Sequence, residues 1–423
     1  MKIKRIPIFQ YILLIIPLLI PILYKLLDDD FVRTIWFYLI LYTGLFSGIY
    51  ALYKLKDNGI KNKWIKIEKI VIILVIAFFA FCIIATILSD LPIQSLIGTQ
   101  YRREGLFTYI AYFLIIFNSM FICNTDKKKI YQLFVIVGTI LSILTLLQLK
   151  EYLFYIQYSY NGIFFQFNHF SYFLILALVC NTCLFITSNL KLEKILYFIS
   201  YVIMLYQLII NNTFGGYLAL LITTIFILIY YIFIKKIKLN SIIILITFIL
   251  LSMFVNKSGS NIVYNNFFEN TQQIKEAIDT NFEDEKVIYQ LGTTRGRLWA
   301  KAIDMIKERP IFGYGIEGIE EEYHKIGMWY ADKPHNIIIA LTAYIGIPGM
   351  LCFFGALGIV MVSILLKIKE LSNEDVIAYF ACICFLGSSL VANSMFYTTP
   401  YFCIFMGIIL EIFFKNHIKQ LTK

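Results

Sequence analysis

Residues 293–299 read Thr-Thr-Arg-Gly-Arg-Leu-Trp and residues 333–336 read Lys-Pro-His-Asn, in a polar segment flanked on both sides by long apolar runs. Guanidinium, indole and imidazole groups bind anions and move protons. Their concentration in the one extended water-soluble stretch of a lipid-soluble chain points to chemistry at a membrane surface.

Working outward, the composition sets the solvent. Of 423 residues, 60% are hydrophobic and 15% are charged, whereas soluble domains carry about a quarter charged residues. Mean hydropathy is +0.76. These values exclude an ordinary soluble domain and predict an all-α polytopic membrane protein. Apolar runs of about 20 residues, the length that crosses a bilayer, recur about twelve times. They lie near 6–25, 31–53, 69–88, 105–123, 129–149, 167–188, 193–210, 214–234, 240–256, 335–366, 375–393 and 398–415. The chain thus divides into 1–256 with nine spans, a polar loop 257–334 between spans 9 and 10, and 335–423 with three spans. The first run follows Lys2, Lys4 and Arg5 and is read as retained, being long and without a small-residue cleavage site.

Orientation follows from the lysines. Lys54, Lys56, Lys61, Lys63, Lys66, residues 127–129, Lys191, Lys194, Lys235, Lys236, Lys238, Lys367, Lys369 and Lys415 fall in alternate loops. The positive-inside rule makes those loops cytoplasmic, which puts both termini inside and the 257–334 loop outside. The net charge of +10 is then a topology signal, and no nucleic-acid partner is expected. The eight cysteines sit in or beside apolar runs, and Cys180-x-x-Cys183 lacks a redox context. His169, His324, His335 and His417 show no metal-ligand spacing, so neither metal nor cofactor is expected. Few ionisable residues occupy span centres, which argues against a pump. Polar groups collect at the outer edge instead: Arg102, Arg103, Glu104, Asn168, His169, Asn211, Asn212, Arg295, Arg297, His335 and Asn336.

Inside the loop, a short amphipathic helix is predicted near 270–278. A second is predicted from Thr294, where Leu298, Ala302, Met305 and Ile306 recur at helical spacing until Arg309-Pro310. Arg295 would stand at its start, either holding a phosphate with the unpaired backbone N–H groups or anchoring the helix among headgroups; spacing leaves both open. Residues 313–318 match a dinucleotide fingerprint formally, but no βαβ unit surrounds them and Glu320, Glu321 and Glu322 follow. They are read as a tight turn with a solvated acidic face. His335 follows Pro334 like a proline-led helix start, where the helix dipole would keep the imidazole neutral. The alternative is an interfacial histidine satisfied by backbone or headgroups.

The run Arg295-Gly-Arg-Leu-Trp299, Ala302, Arg309-Pro-Ile-Phe-Gly313-Tyr-Gly315, His335-Asn336 and Gly346-Ile-Pro-Gly349 resembles the signature region of the O-antigen ligase and polymerase family. Weaker echoes are Tyr101-Arg-Arg-Glu-Gly105-Leu and Phe167-Asn168-His169-Phe170. The resemblance implies a GT-C-like helical membrane fold in a bacterial cell membrane. It also implies inverting, metal-independent transfer of glycan from an undecaprenyl-diphosphate donor to a hydroxyl of a glycan or glycolipid acceptor on the outer face. It gives His335 the acceptor hydroxyl and Arg295 the diphosphate, with Arg297, Trp299, Asn336 and Asn168 in support. Many members open the helix matching the eighth span with Ser-Arg-Gly, where this chain has Thr213-Phe214-Gly215-Gly216; Arg102 or Arg103 is the expected substitute for the missing arginine. Ile-, Lys- and Asn-rich usage suggests an AT-rich genome and favours a capsular or cell-wall polysaccharide polymerase over a ligase. From another class, a lipid-linked glycan flippase or exporter has a similar number of spans but would need charges through the membrane.

Overall fold

In lipid every backbone N–H and C=O needs a partner within the protein, and each of the apolar runs meets that demand as a helix. In the computed structural model these are α1 (Ile8–Leu23), α2 (Asp29–Asn58), α3 (Lys66–Leu88), α5 (Leu106–Ser119), α6 (Asn124–Gln148), α7 (Phe167–Thr187) and α8 (Lys191–Ile210). The series continues with α9 (Phe214–Ile229, extended by a π turn to Ile234), α10 (Leu239–Phe254), α14 (Ile337–Leu365), α15 (Asn373–Ser389) and α16 (Thr399–Phe413). Between them lie α4 (Pro92–Ile97), α11 (Ile262–Asp279), α12 (Glu285–Glu308) and α13 (Glu320–Lys325), and the described residues contain no strand. The structure describes residues 7–23, 27–58, 65–148, 164, 166–256, 259–280, 284–329, 331–392 and 395–414. Lys2, Lys4, Arg5, Lys61, Lys63, Lys257, Lys415 and His417, which entered the sequence reading, lie outside them.

Seven helices, α2, α3, α6, α7, α8, α9 with its π turn, and α14, are long and apolar enough to cross a membrane. Helices α1, α5, α10 and α16 are apolar but shorter, and α15 has 17 residues. For these five, crossing is an expectation that rests on chain direction. At one end of the bundle the starts of α2 and α7 meet the α4–α5 loop, through Arg103 to Thr34 at 2.9 Å and Arg102 to His169 at 3.5 Å. At the other end, Gln10 of α1 meets Ser119 of α5 at 3.0 Å, and Lys127 of α6 meets Asp375 of α15 and Glu411 of α16, each at 2.7 Å. Successive long helices therefore run in opposite directions.

Helix α7 forms the centre, buried along nearly its whole length and packed against α6, α8, α9 and α15. Mostly apolar all round and without a Lys, Arg, Asp or Glu, it is the kind of helix that an interior accepts.

Two helices depart from the expected rods. The run 335–366 was predicted as one span, but α14 is broken at Gly346, whose φ is 76°. The break releases backbone groups that a turn after α12 takes up. Tyr314 and Gly315 donate their N–H groups to the Ala343 and Tyr344 carbonyls, both at 2.9 Å, and Ile347 donates to the Pro310 carbonyl at 2.8 Å. A Cβ on Gly346 would stand 1.9 Å from the Ile311 oxygen, so only glycine permits this approach. The Arg309–Gly315 and Gly346–Gly349 stretches, separate in sequence, are thus two sides of one contact.

Helix α12 begins at Glu285, earlier than the predicted start at Thr294. In a continuous helix Ile288 and Gly296 would be about 12 Å apart, yet a Cβ on Gly296 would stand 1.8 Å from the Ile288 oxygen. The chain reverses at Gly292, at φ 59°, where Gln273 accepts its N–H at 3.2 Å. The reading at Thr294 located the second arm and overlooked the first. The helix predicted near 270–278 extends over Ile262–Asp279, capped by Asn261, which accepts from the Tyr264 N–H at 2.9 Å.

Candidate functional site

The site is built around the segment leading into α14. Helix α14 starts after Asn336, whose side-chain oxygen accepts from the N–H groups of Ile338 (2.9 Å) and Ile339 (3.1 Å). Asn336 is therefore the N-cap. Pro334 lies two residues earlier, outside the first helical position assigned to it from sequence, and its carbonyl accepts from the Trp299 indole at 2.7 Å.

Lys333, almost fully buried, reaches Glu104 at 2.8 Å and Glu317 at 3.0 Å. Glu104 also accepts from the Tyr112 hydroxyl at 2.6 Å, and Glu317 from the Thr99 N–H at 2.6 Å. Burial lifts the Glu317 carboxyl above its usual range, with Lys333 opposing. Asp332 pairs with Arg102. Burial alone would raise the Asp332 carboxyl, but the guanidinium outweighs it and holds it below the ordinary range. Arg102 also sets Nη1 3.5 Å from Nε2 of His169. A guanidinium has no lone pair to offer, so Nε2 of His169 is the acceptor there.

His335 is held between these anchors at φ 54°. The left-handed conformation costs a non-glycine residue about 1–2 kcal/mol and persists where the surroundings over-determine it. Here Asp332, Lys333, Pro334 and Asn336 are each tied to a partner. The His335 imidazole is lowered to about 4 by burial first, with Arg102, Arg295 and Lys333 lowering it further and Asp332 opposing. At neutral pH the ring is neutral and keeps a lone pair. The direction is the one read from sequence; the largest cause is burial.

Arg295, on the second arm of α12, acts on both His335 and Tyr172 of α7. Burial lowers its proton affinity. Among the described residues no carboxylate forms an ion pair with Arg295, whereas Arg102 and Lys333 are both matched. A half-buried guanidinium with no counter-ion among the described residues, beside a neutral imidazole, is an arrangement that accepts an external anion.

Comparison with protein families matches residues 199–354 to the family described as O-antigen ligase. That stretch is similar to the O-antigen ligase family. No curated protein matches the chain.

The matched stretch runs from α8 into the second arm of α14 and includes Arg295, Arg297, Trp299, His335 and Asn336. Arg102, Glu104 and His169 lie outside the matched residues yet meet them through Asp332, Lys333 and His335. Asn168 is buried in the first turn of α7, next to His169. Gly216 lets α9 close on α7, where a Cβ would stand 2.2 Å from the Ser171 oxygen. Arg297 faces the first arm of α12, 5.9 Å from the Tyr289 ring. Arg103 turns toward α2, bonding Thr34 at 2.9 Å and the Gln100 carbonyl at 3.1 Å, with the Phe37 ring 5.5 Å away. Of the two arginines offered as substitutes at Phe214, only Arg102 is brought to His335.

Sequence reasoning overlooked Asp332, Lys333 and Glu317 as members of this site. Asp332 and Lys333 adjoin Pro334-His335, an ionisable pair at the mouth of an apolar run, and that adjacency was the available signal. Glu317 sits in the glycine turn with nothing local to separate it from the acids after it, of which Glu321 is exposed as the solvated face predicts while Glu320 and Glu322 are half-buried.

Proposed function

We propose that this protein is a membrane glycosyltransferase moving glycan from an undecaprenyl-diphosphate carrier to a sugar hydroxyl on the outer face of a bacterial cell membrane, as a capsular or cell-wall polysaccharide polymerase. The observation that carries this reading is Arg295, which pairs with no carboxylate among the described residues, beside the neutral His335 within the stretch similar to O-antigen ligases. In one displacement the acceptor oxygen bonds to the anomeric carbon while that carbon's bond to the diphosphate oxygen breaks. The hydroxyl proton passes to His335, and the departing charge is met by Arg295 and by the edge of Arg102 turned away from Asp332. Single displacement inverts the anomeric centre. Arginine charge supplies what a metal would otherwise supply.

Two features support a lipid donor and an outward site. An apolar cavity of about 170 Å³ lies between α3, α5, α14, α15 and α16 and reaches Tyr112 and Ile337; Tyr112 bonds Glu104, and Ile337 follows the His335-Asn336 pair. Hydrocarbon has a place next to the charged groups. Lys127, Lys128 and Lys235 pair with Asp375, Glu193 and the Leu371 carbonyl at the bundle end opposite His335. By the positive-inside rule that end is cytoplasmic. The packed, uncharged α7 is poorly suited to a flippase, which needs a polar path through the centre.

Reconstitution of the full chain with a lipid-diphosphate oligosaccharide tests the reading. Longer lipid-linked chains without added acceptor establish a polymerase. Transfer only to an added acceptor establishes a ligase. Absence of transfer, with movement of the lipid-linked glycan between leaflets, would replace both with an exporter.

A further inference from the structure

Resting on the glycosyl-transfer reading, we propose that Asp332 is a positioning residue that holds Arg102 toward the leaving diphosphate and supplies the negative charge against which His335 takes up a proton. Asp332 stands three residues before His335 on the same anchored segment and pairs through its carboxylate with Nε of Arg102. Nη1 of Arg102 lies against His169 at 3.5 Å and the Met395 sulfur at 3.7 Å. Two positions on the guanidinium are thus occupied by protein, which aims the remaining Nη2 edge.

Of the four charged groups that act most strongly on His335, Arg102, Arg295 and Lys333 are cations and Asp332 is the anion. His169, the other titratable neighbour, also feels Arg102 and Asp332. Of the nearby acids, Glu104 and Glu317 share the single cation of Lys333, and Glu320, half-buried, faces Asp332 and Arg102. A proton arriving on His335 adds positive charge beside Arg102, Arg295 and Lys333, and Asp332 is the carboxylate that acts most strongly on the ring to offset it. Asp332 exchanges no atom with substrate. The proton leaves the acceptor hydroxyl for His335 as the carbon–oxygen bond to the diphosphate breaks, and Asp332 remains ionised.

The coupling makes a signed prediction. In Asp332→Asn the carboxylate charge is gone, so His335 binds its proton more weakly. The acid limb of kcat/KM for a lipid-diphosphate oligosaccharide then moves to lower pH, about one unit per tenfold change in proton affinity. The plateau falls because the base is weaker, and donor KM rises as Arg102 loses its anchor. Asp332→Glu keeps the charge and restores the limb. An Asn variant of lower activity whose acid limb is unmoved, or a loss that Glu does not rescue, overturns the proposal and leaves Asp332 a structural partner of Arg102. Should the Asn variant fail to fold, Asp332→Ser reads the same coupling: the carboxylate charge is again gone, the limb again moves to lower pH, and an unmoved limb overturns the proposal. A wild-type protein that transfers no glycan at all would instead sink the transfer reading.

Discussion

At the scale of single residues, His335 and Arg295 separate proton transfer from anion binding. His335→Ala is expected to lower turnover by roughly 100-fold or more, the range of a lost general acid or base, with donor binding little changed. His324, stacked on Trp329 with ring centroids 5.4 Å apart, is the control and tolerates alanine. A His335→Ala protein with normal turnover and weak donor binding would make the imidazole a phosphate ligand. Arg295→Ala is expected to abolish transfer at limiting donor, while Lys275→Ala on the exposed part of α11 leaves it intact. Equal activity of Arg295→Ala and wild type at matched expression would remove Arg295 from the site. Because the base works only when neutral, activity is lost as pH falls through the His335 value. For the unliganded protein that value is about 4, so kcat/KM should hold to well below neutrality. A bound diphosphate adds negative charge and raises the imidazole, so the kcat profile should break at higher pH than kcat/KM.

Element geometry is what brings these residues together. Had α14 run straight from Ile337 to Leu365, the Arg309–Gly315 turn would have nowhere to satisfy its backbone, and α12 would have no fixed attachment. Gly346→Ala puts a side chain at φ 76° and against the Ile311 carbonyl. Alanine at a positive φ costs more than about 1 kcal/mol, so thermal unfolding in detergent should shift downward with activity. Gly358→Ala, on the same helix with nothing within 4 Å of the added Cβ, should change stability by no more than about 0.5 kcal/mol. If the two variants melt alike, the break at Gly346 is not a structural requirement. The reversal at Gly292 belongs to the same scale: it folds two arms of α12 onto each other and presents Arg295 from the second.

For the molecule as a whole, direction and charge set its placement in the bilayer. Lys127, buried between Asp375 and Glu411 at 2.7 Å each, ties α6 to α15 and α16 at the end away from the site. Removing one member of a buried ion pair typically costs about 3–5 kcal/mol, so Lys127→Ala should unfold at markedly lower temperature. Unchanged melting would show that the helices hold that end without it. Cysteine placed at Ser260, which is exposed beyond α10, should react with an impermeant reagent on intact cells. Labelling only after lysis would reverse the proposed orientation.

Much of this was legible in the chain. Apolar length and the scarcity of charge specified a helical membrane protein, because lipid leaves the backbone no other economical way to satisfy itself. Lysine placement indicated which turns share an end, and Arg295-Gly-Arg-Leu-Trp299 with His335-Asn336 marked the site's two halves. Those signals are local, and local periodicity carries them. Only the tertiary structure decided that α12 and α14 are each two arms, since a pattern of apolar residues does not register a reversal at one glycine. It also decided that Arg102 belongs to the site while Arg103 faces α2, a difference of side-chain direction between neighbours that sequence leaves equivalent. The Glu104–Lys333–Glu317 and Arg102–Asp332 pairs join residues up to 230 positions apart. Their charges are tolerable under burial only because the fold sets them face to face, and that is a property of packing that no stretch of the sequence contains.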